Sequence, residues 1–148
     1  MLFFAIFLVD LTLGKDPGQK KLEEMEKLEA QTADSIIFLN KAQYAELVIE
    51  NPRPYHVVML YTVKQGCNYC QAMYSEFQTA IFSFKQQEEK LPLKTFYAVL
   101  FHNYENSVHF QMHNFNTVPY MTVSLAAQKR NPEKEFYQEE DIWYVRQD

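Results

Sequence analysis

The chain has 148 residues, 47% hydrophobic and 16% aromatic, which suits one domain of ordinary size with a substantial core. Three glycines and six prolines argue against a low-complexity or fibrous chain, and a formal net charge of −5 leaves no electrostatic footprint for nucleic acid. A domain this large does not depend on a disulfide staple, so the only two cysteines, Cys67 and Cys70, point to function before structure.

The first segment, Met1-Leu2-Phe3-Phe4-Ala5-Ile6-Phe7-Leu8-Val9, is apolar but too short to cross a bilayer, which takes roughly 20 residues. It fits the hydrophobic region of a secretory signal covering residues 1–14, with cleavage near Gly14, although no Lys or Arg precedes it and Asp10 interrupts it. A signal would deliver the mature domain to an oxidising compartment. There is no Asn-x-Ser/Thr sequon.

Residues 15–34 hold a charged helix beginning after Pro17-Gly18, with Leu22, Met25 and Leu28 on one line. Three apolar positions are too few for a coiled-coil seam, so the helix is expected to lie against the domain with its other faces solvated. Residues 35–148 carry the domain itself. Ser35 to Leu39 reads as a short strand, and Asn40 caps a helix from Lys41 to about Glu50 that shows Tyr44, Leu47 and Val48 on one face. Asn51-Pro52-Arg53-Pro54 ends it.

Val57 to Val63 lacks polar alternation, which marks a strand covered on both faces. Lys64-Gln65-Gly66 makes a loop, and the cysteines open a helix to about Gln87 whose core stripe is Met73, Phe77, Ala80, Ile81 and Phe84. Phe96 to Phe101 is a second central strand, followed by a helix from about Glu105 to Asn114. Asn116-Thr117-Val118-Pro119 leads into a strand from Tyr120 to Ala126. Glu135 to Tyr137 is expected to return as an edge strand. A closing helix belongs after it, but Glu139 to Asp148 is barely long enough to start one.

The order β-α-β-α-β-α-β-β, with Cys-x-x-Cys after the second strand and a Val-Pro step before the fourth, predicts a thioredoxin-like α/β/α sandwich with a central mixed sheet. In that arrangement Cys67 sits at the first turn of a helix, where unpaired N–H groups and the dipole favour the thiolate, beside a loop carrying Lys64. It is the expected catalytic nucleophile. Cys70, one turn on, leans toward the apolar stripe and suits the resolving thiol. Pro119 is expected to be cis, and the Val118 backbone to pair with an extended substrate peptide.

Zinc is a competing use of the two thiols, because His109 and His113 are spaced for one helix face. The 38 residues between Cys70 and His109 far exceed compact finger spacing, so no metal or other cofactor is expected. No sequence context pairs a histidine with Cys67 as in a cysteine protease. His56 and His102 carry no argument.

The chain resembles the thioredoxin-domain subunits of the eukaryotic oligosaccharyltransferase complex, the Ost-three/Ost-six type. The resemblance rests on Lys21-Leu22-Glu23-Glu24-Met25, Ile36-Ile37-Phe38-Leu39, Asn51-Pro52-Arg53-Pro54-Tyr55-His56-Val57-Val58-Met59-Leu60-Tyr61-Thr62, Gly66-Cys67-Asn68-Tyr69-Cys70 and Phe115-Asn116-Thr117-Val118-Pro119-Tyr120. The Pro-Arg-x-Tyr lead into a wholly apolar strand is its most particular element. General thioredoxins carry a carboxylate six residues before the nucleophile and a Trp just before it, where this chain has Tyr61 and Gly66. The missing carboxylate suits a domain that holds its substrates as mixed disulfides.

The resemblance implies an endoplasmic reticulum lumenal domain that captures cysteine-containing nascent polypeptides, alongside other oligosaccharyltransferase subunits, with no glycosyl transfer of its own. Such proteins continue into membrane-spanning helices, whereas no apolar run follows residue 126 here, so anchoring is expected only where such helices lie outside this sequence. A free-standing isomerase-like protein and a non-catalytic peptide-binding module are the competing functions on the same fold.

Overall fold

The computed structural model describes Gly14, residues 16–127 and the backbone of residues 142–145. The signal segment, the edge strand at Glu135–Tyr137 and most of the closing segment lie outside the described residues. Within them the chain forms α1 (Pro17–Ala30), β1 (Ile36–Phe38), α2 (Lys41–Tyr44) widening into a π-helical turn (Ala45–Ile49), β2 (His56–Thr62) and α3 (Asn68–Lys85). A 3-10 turn (Glu88–Lys90), β3 (Thr95–Phe101), α4 (Ser107–Met112), β4 (Tyr120–Ser124) and β5 (Ile142–Val145) complete the order.

The sheet runs β1-β3-β2-β4-β5. β1 and β2 flank β3 in parallel, β4 is antiparallel to β2, and β5 is antiparallel to β4. Strand alternation divides the core. Val57, Met59, Tyr61, Phe96, Ala98 and Leu100 face Met25 of α1, Tyr44 of α2 and Phe110 of α4, while Leu60, Tyr97 and Val99 face Phe77 and Ile81 of α3. Helices therefore cover both sheet faces, giving the expected three layers.

Local chemistry explains the helix starts. Asp16 caps α1 through the Gly18 N–H, and Pro17 begins the helix where a missing N–H costs nothing. Asn40 and Gln43 form a reciprocal capping box at α2. The α1 helix is more than a solvated cover, because Met25 is completely buried in the core. Lys94 and Lys85 both bind the Glu29 carboxylate, tying the end of α1 to α3 and to the start of β3.

Two expectations are corrected. Phe84, read as part of the α3 core stripe, is 56% exposed. Among the described residues α3 is the helix on that sheet face, and a hollow of 360 Å³ lined by Val58, Phe77, Phe84, Tyr97 and Met121 lies beside it. β2 is covered on both faces as expected over most of its length, with Val57, Met59, Leu60, Tyr61 and Thr62 buried and Val58 partly buried beside that hollow. Within Glu139–Asp148, expected to be barely long enough to start a closing helix, Ile142–Val145 is instead a strand, paired Thr122↔Tyr144 and Val123↔Trp143.

The Pro-Arg-x-Tyr stretch is structural. Arg53 is 2% exposed, and its guanidinium donates to the carbonyls of Val48 and Leu125, fastening the π-helical turn to the end of β4. Its backbone bridges Ala127, and the Tyr55 hydroxyl donates to the Leu47 carbonyl at 2.7 Å. Asn51–Pro52 is a cis peptide. Sequence pattern showed this stretch to be distinctive but gave no sign of the clamp, because both of Arg53's acceptors are backbone carbonyls.

Candidate redox site

Cys67 and Cys70 form a disulfide at the start of α3, with Cα atoms 5.2 Å apart. Gly66 precedes them at φ +79, a left-handed conformation that glycine adopts without steric cost. Cys67 is the N-cap residue, and its sulfur accepts from the Cys70 N–H at 3.1 Å. An electron-rich sulfur thus sits over the unpaired amides of the first turn, where the helix dipole stabilises negative charge. The two sulfurs differ in access: Cys70 is 2% exposed, whereas Cys67 is half-buried.

Val118–Pro119 is the second cis peptide. Pro119 is buried and Val118 half-buried. Pro119 precedes Tyr120, whose register partner is Tyr61, one residue before the end of β2. The proline loop therefore enters β4 at the end of the sheet where β2 leaves for the cysteines. Val63 stands between the two. It lines a hollow of 350 Å³ with Cys70, Phe38, Tyr74 and Phe101, and a smaller one of 170 Å³ with Phe115, Asn116, Thr117 and Val118. Lys64 lies over the Phe101 ring, 5.1 Å from its centroid.

Tyr61 occupies the position noted for its missing carboxylate. It is completely buried, and its hydroxyl lies 2.6 Å from that of Tyr44. Tyr44 in turn contacts His113 Nε2 at 2.5 Å, and Thr122 donates to Tyr61 at 3.2 Å. Burial, and secondarily the neighbouring His109, push the His113 pKa down to about 4. His113 is thus neutral near pH 7 and can accept a hydrogen bond. His109 bonds the Lys41 carbonyl at 3.2 Å. The two histidines weighed as zinc partners serve other bonds, and the sulfurs are joined to each other. Among the described residues, no cluster of three or more potential ligands is present.

Sequence reasoning missed this buried polar group. Tyr44 was legible only as a core residue and His113 only as a histidine four from another. The one signal was Tyr61 itself, a hydroxyl-bearing residue inside an otherwise apolar strand, which needs a buried partner.

The model of one family, described as "OST3 / OST6 family, transporter family", matches residues 23–146. The chain belongs to the OST3/OST6 family. As a family member it is a thioredoxin-like oligosaccharyltransferase subunit, of a complex in the endoplasmic reticulum membrane. No helix among the described residues of this OST3/OST6 chain is long and apolar enough to cross a membrane. Among solved structures it is similar to thioredoxin f from spinach chloroplast (long form), at 20% identity over 68% of this chain and 72% of that one, with a TM-score of 0.50. That likeness shows the fold. The Trx4 domain of ERdj5 matches at 16% identity, over 76% of this chain and 81% of that one, with a TM-score of 0.48. No curated protein matches the chain.

Proposed function

We propose that this domain is a lumenal thiol–disulfide exchanger that holds cysteine-containing nascent polypeptides as transient mixed disulfides while nearby sequons are glycosylated. The observation that carries the reading is the unequal access of the two bonded sulfurs, Cys67 half-buried at the helix cap and Cys70 enclosed. A client thiolate attacks the Cys67 sulfur, the Cys67–Cys70 bond breaks, and Cys70 leaves as a thiolate. Release reverses this: the Cys70 thiolate attacks Cys67 and expels the client thiolate. No external oxidant is consumed in that cycle.

The backbone at Val118, ahead of Pro119, is the partner for the client's extended chain. The cis peptide there and its position at the end of β2 support this role. Membership of the OST3/OST6 family supplies the setting, since holding a chain unfolded extends the time its sequons stay accessible. The slow-release character is supported by Tyr61, whose hydroxyl is engaged with Tyr44 and Thr122 where general thioredoxins carry a carboxylate.

The test is capture in microsomes. A full-length Cys70→Ser protein has no internal disulfide, so its Cys67 thiolate should attack disulfides of nascent glycoproteins, expel one client thiolate, and accumulate as covalent adducts that dithiothreitol releases. Absence of adducts, under conditions where a disulfide isomerase trapping variant forms them, would remove the proposal.

A further inference from the structure

Besides the sulfur pair and the Arg53 clamp, the described residues hold a buried side-chain hydrogen-bond chain, Thr122–Tyr61–Tyr44–His113, which joins β4, β2, α2 and the residue capping α4. Its polarity is consistent. Thr122 donates to Tyr61, and with Nε2 of a neutral His113 as acceptor, Tyr61 can donate to Tyr44 and Tyr44 to His113. Each hydroxyl in the middle has hydrogen-bond contacts on both sides, so deleting one removes a buried hydrogen bond from each neighbour.

The chain has a physical outlet. The His113 ring stacks on Phe115 at 5.0 Å with planes 17° apart. Phe115 stacks on Tyr120 at 4.1 Å and 24°, and meets Tyr61 edge-on at 4.8 Å. Phe115 and Tyr120 are the two ends of the segment Asn116-Thr117-Val118-Pro119. Asn114, between His113 and Phe115, takes φ +62, so the chain turns sharply out of α4 into that segment. The loop is thereby clamped at both ends by rings whose orientation the buried hydrogen bonds fix.

We propose that Thr122, Tyr61, Tyr44 and His113 are positioning residues that hold the 116–119 loop in register for pairing with a client peptide. This rests on the reading of Val118 as the peptide-pairing strand. None of the four reacts with sulfur; they act through Phe115 and Tyr120. A loosened loop would sample orientations in which its backbone groups no longer meet an extended chain, and capture would weaken although Cys67 stays reactive.

The experiment separates peptide capture from sulfur reactivity, in a Cys70→Ser background. One probe is a cysteine decapeptide activated as its thionitrobenzoate mixed disulfide; the other is glutathione activated in the same way. The Cys67 thiolate attacks the probe's peptide or glutathione sulfur and expels coloured thionitrobenzoate, so both rates are read directly. Tyr44→Phe keeps the ring and its packing but deletes the central hydroxyl.

The expected result is an increase of about tenfold in half-saturating peptide concentration, the loss of roughly one good hydrogen bond's worth of loop order. The glutathione rate should change by less than about twofold on the same scale. Should Tyr44→Phe fail to fold, His113→Gln, which offers an amide oxygen to Tyr44, is compared with His113→Leu, which offers none; Gln should retain peptide capture and Leu lose it. Equal capture by all variants, or parallel loss with both probes, would overturn the positioning role while leaving the redox reading standing. Failure of the Cys70→Ser parent to capture peptide at all would defeat the redox reading, and this inference with it.

Discussion

Tyr61 on β2 pairs directly with Tyr120 on β4, and this cross-strand pair sets the two halves of the site side by side. One residue beyond Tyr61 the strand ends and the chain runs to Cys67; one residue before Tyr120 stands Pro119. Two segments about fifty residues apart in sequence therefore meet at one end of the sheet's interior strands.

The two cysteines should behave differently when replaced. Cys67→Ser removes the more accessible, half-buried sulfur and should abolish mixed-disulfide formation with a client peptide. Cys70→Ser removes the enclosed one and should lengthen the lifetime of the mixed disulfide at least about tenfold, since intramolecular release is lost. Non-reducing electrophoresis with mass spectrometry reads both. Equal adduct levels in the two variants would contradict the assigned roles.

Stability should fall in mild acid. The His113 pKa is depressed to about 4 by burial and then by His109, against 6.5 when unfolded. Burial also lowers His109. The unfolded chain therefore binds the extra proton first, and the contribution present above pH 6.5 is lost as pH falls toward 4. For His113 alone the loss approaches about 3 kcal/mol. Urea midpoints at pH 7 and pH 4.5 check it, and His113→Gln should flatten the difference.

The α3 stripe should divide by burial. Phe77→Ala and Ile81→Ala empty closed core positions and should each cost about 2–5 kcal/mol. Phe84→Ala, at a position 56% exposed, should cost less than about 1 kcal/mol. Denaturant unfolding of the three variants measures this ordering directly.

Arg53→Met should cost about 2–4 kcal/mol, because the carbonyls of Val48 and Leu125 lose a buried charged donor. Arg53→Lys should recover little, since one ammonium lacks the fork that reaches both carbonyls. Thermal unfolding of the two variants checks it, and recovery to wild-type stability by lysine would refute the clamp.

Much of the fold was legible because it rests on local chemistry. The Asn40 cap, the apolar run of β2 and β3, and the helix opening at the cysteines each carry their own pattern in sequence. Phe84 misled because helical spacing reports which residues share a face, not whether anything covers that face's far end. Ile142–Val145 was not legible as a strand because a four-residue strand has no periodicity of its own and is fixed by pairing with β4. Cys67, Cys70 and Pro119 stood out through spacing. The Tyr44–Tyr61–His113 group did not, because its members are far apart in sequence and join only when α2, β2 and α4 pack together.

The central claim is that the Cys67–Cys70 bond exchanges in use and does not merely staple the helix. Equilibrating the domain with glutathione buffers of graded potential, then alkylating and weighing the products, measures this directly. The account predicts a reversible two-electron couple within reach of an endoplasmic reticulum poise of about −180 to −210 mV, with Cys67 alkylated well ahead of Cys70 on reduction. A bond that stays closed to below about −300 mV, or two thiols labelled at one rate, would contradict it.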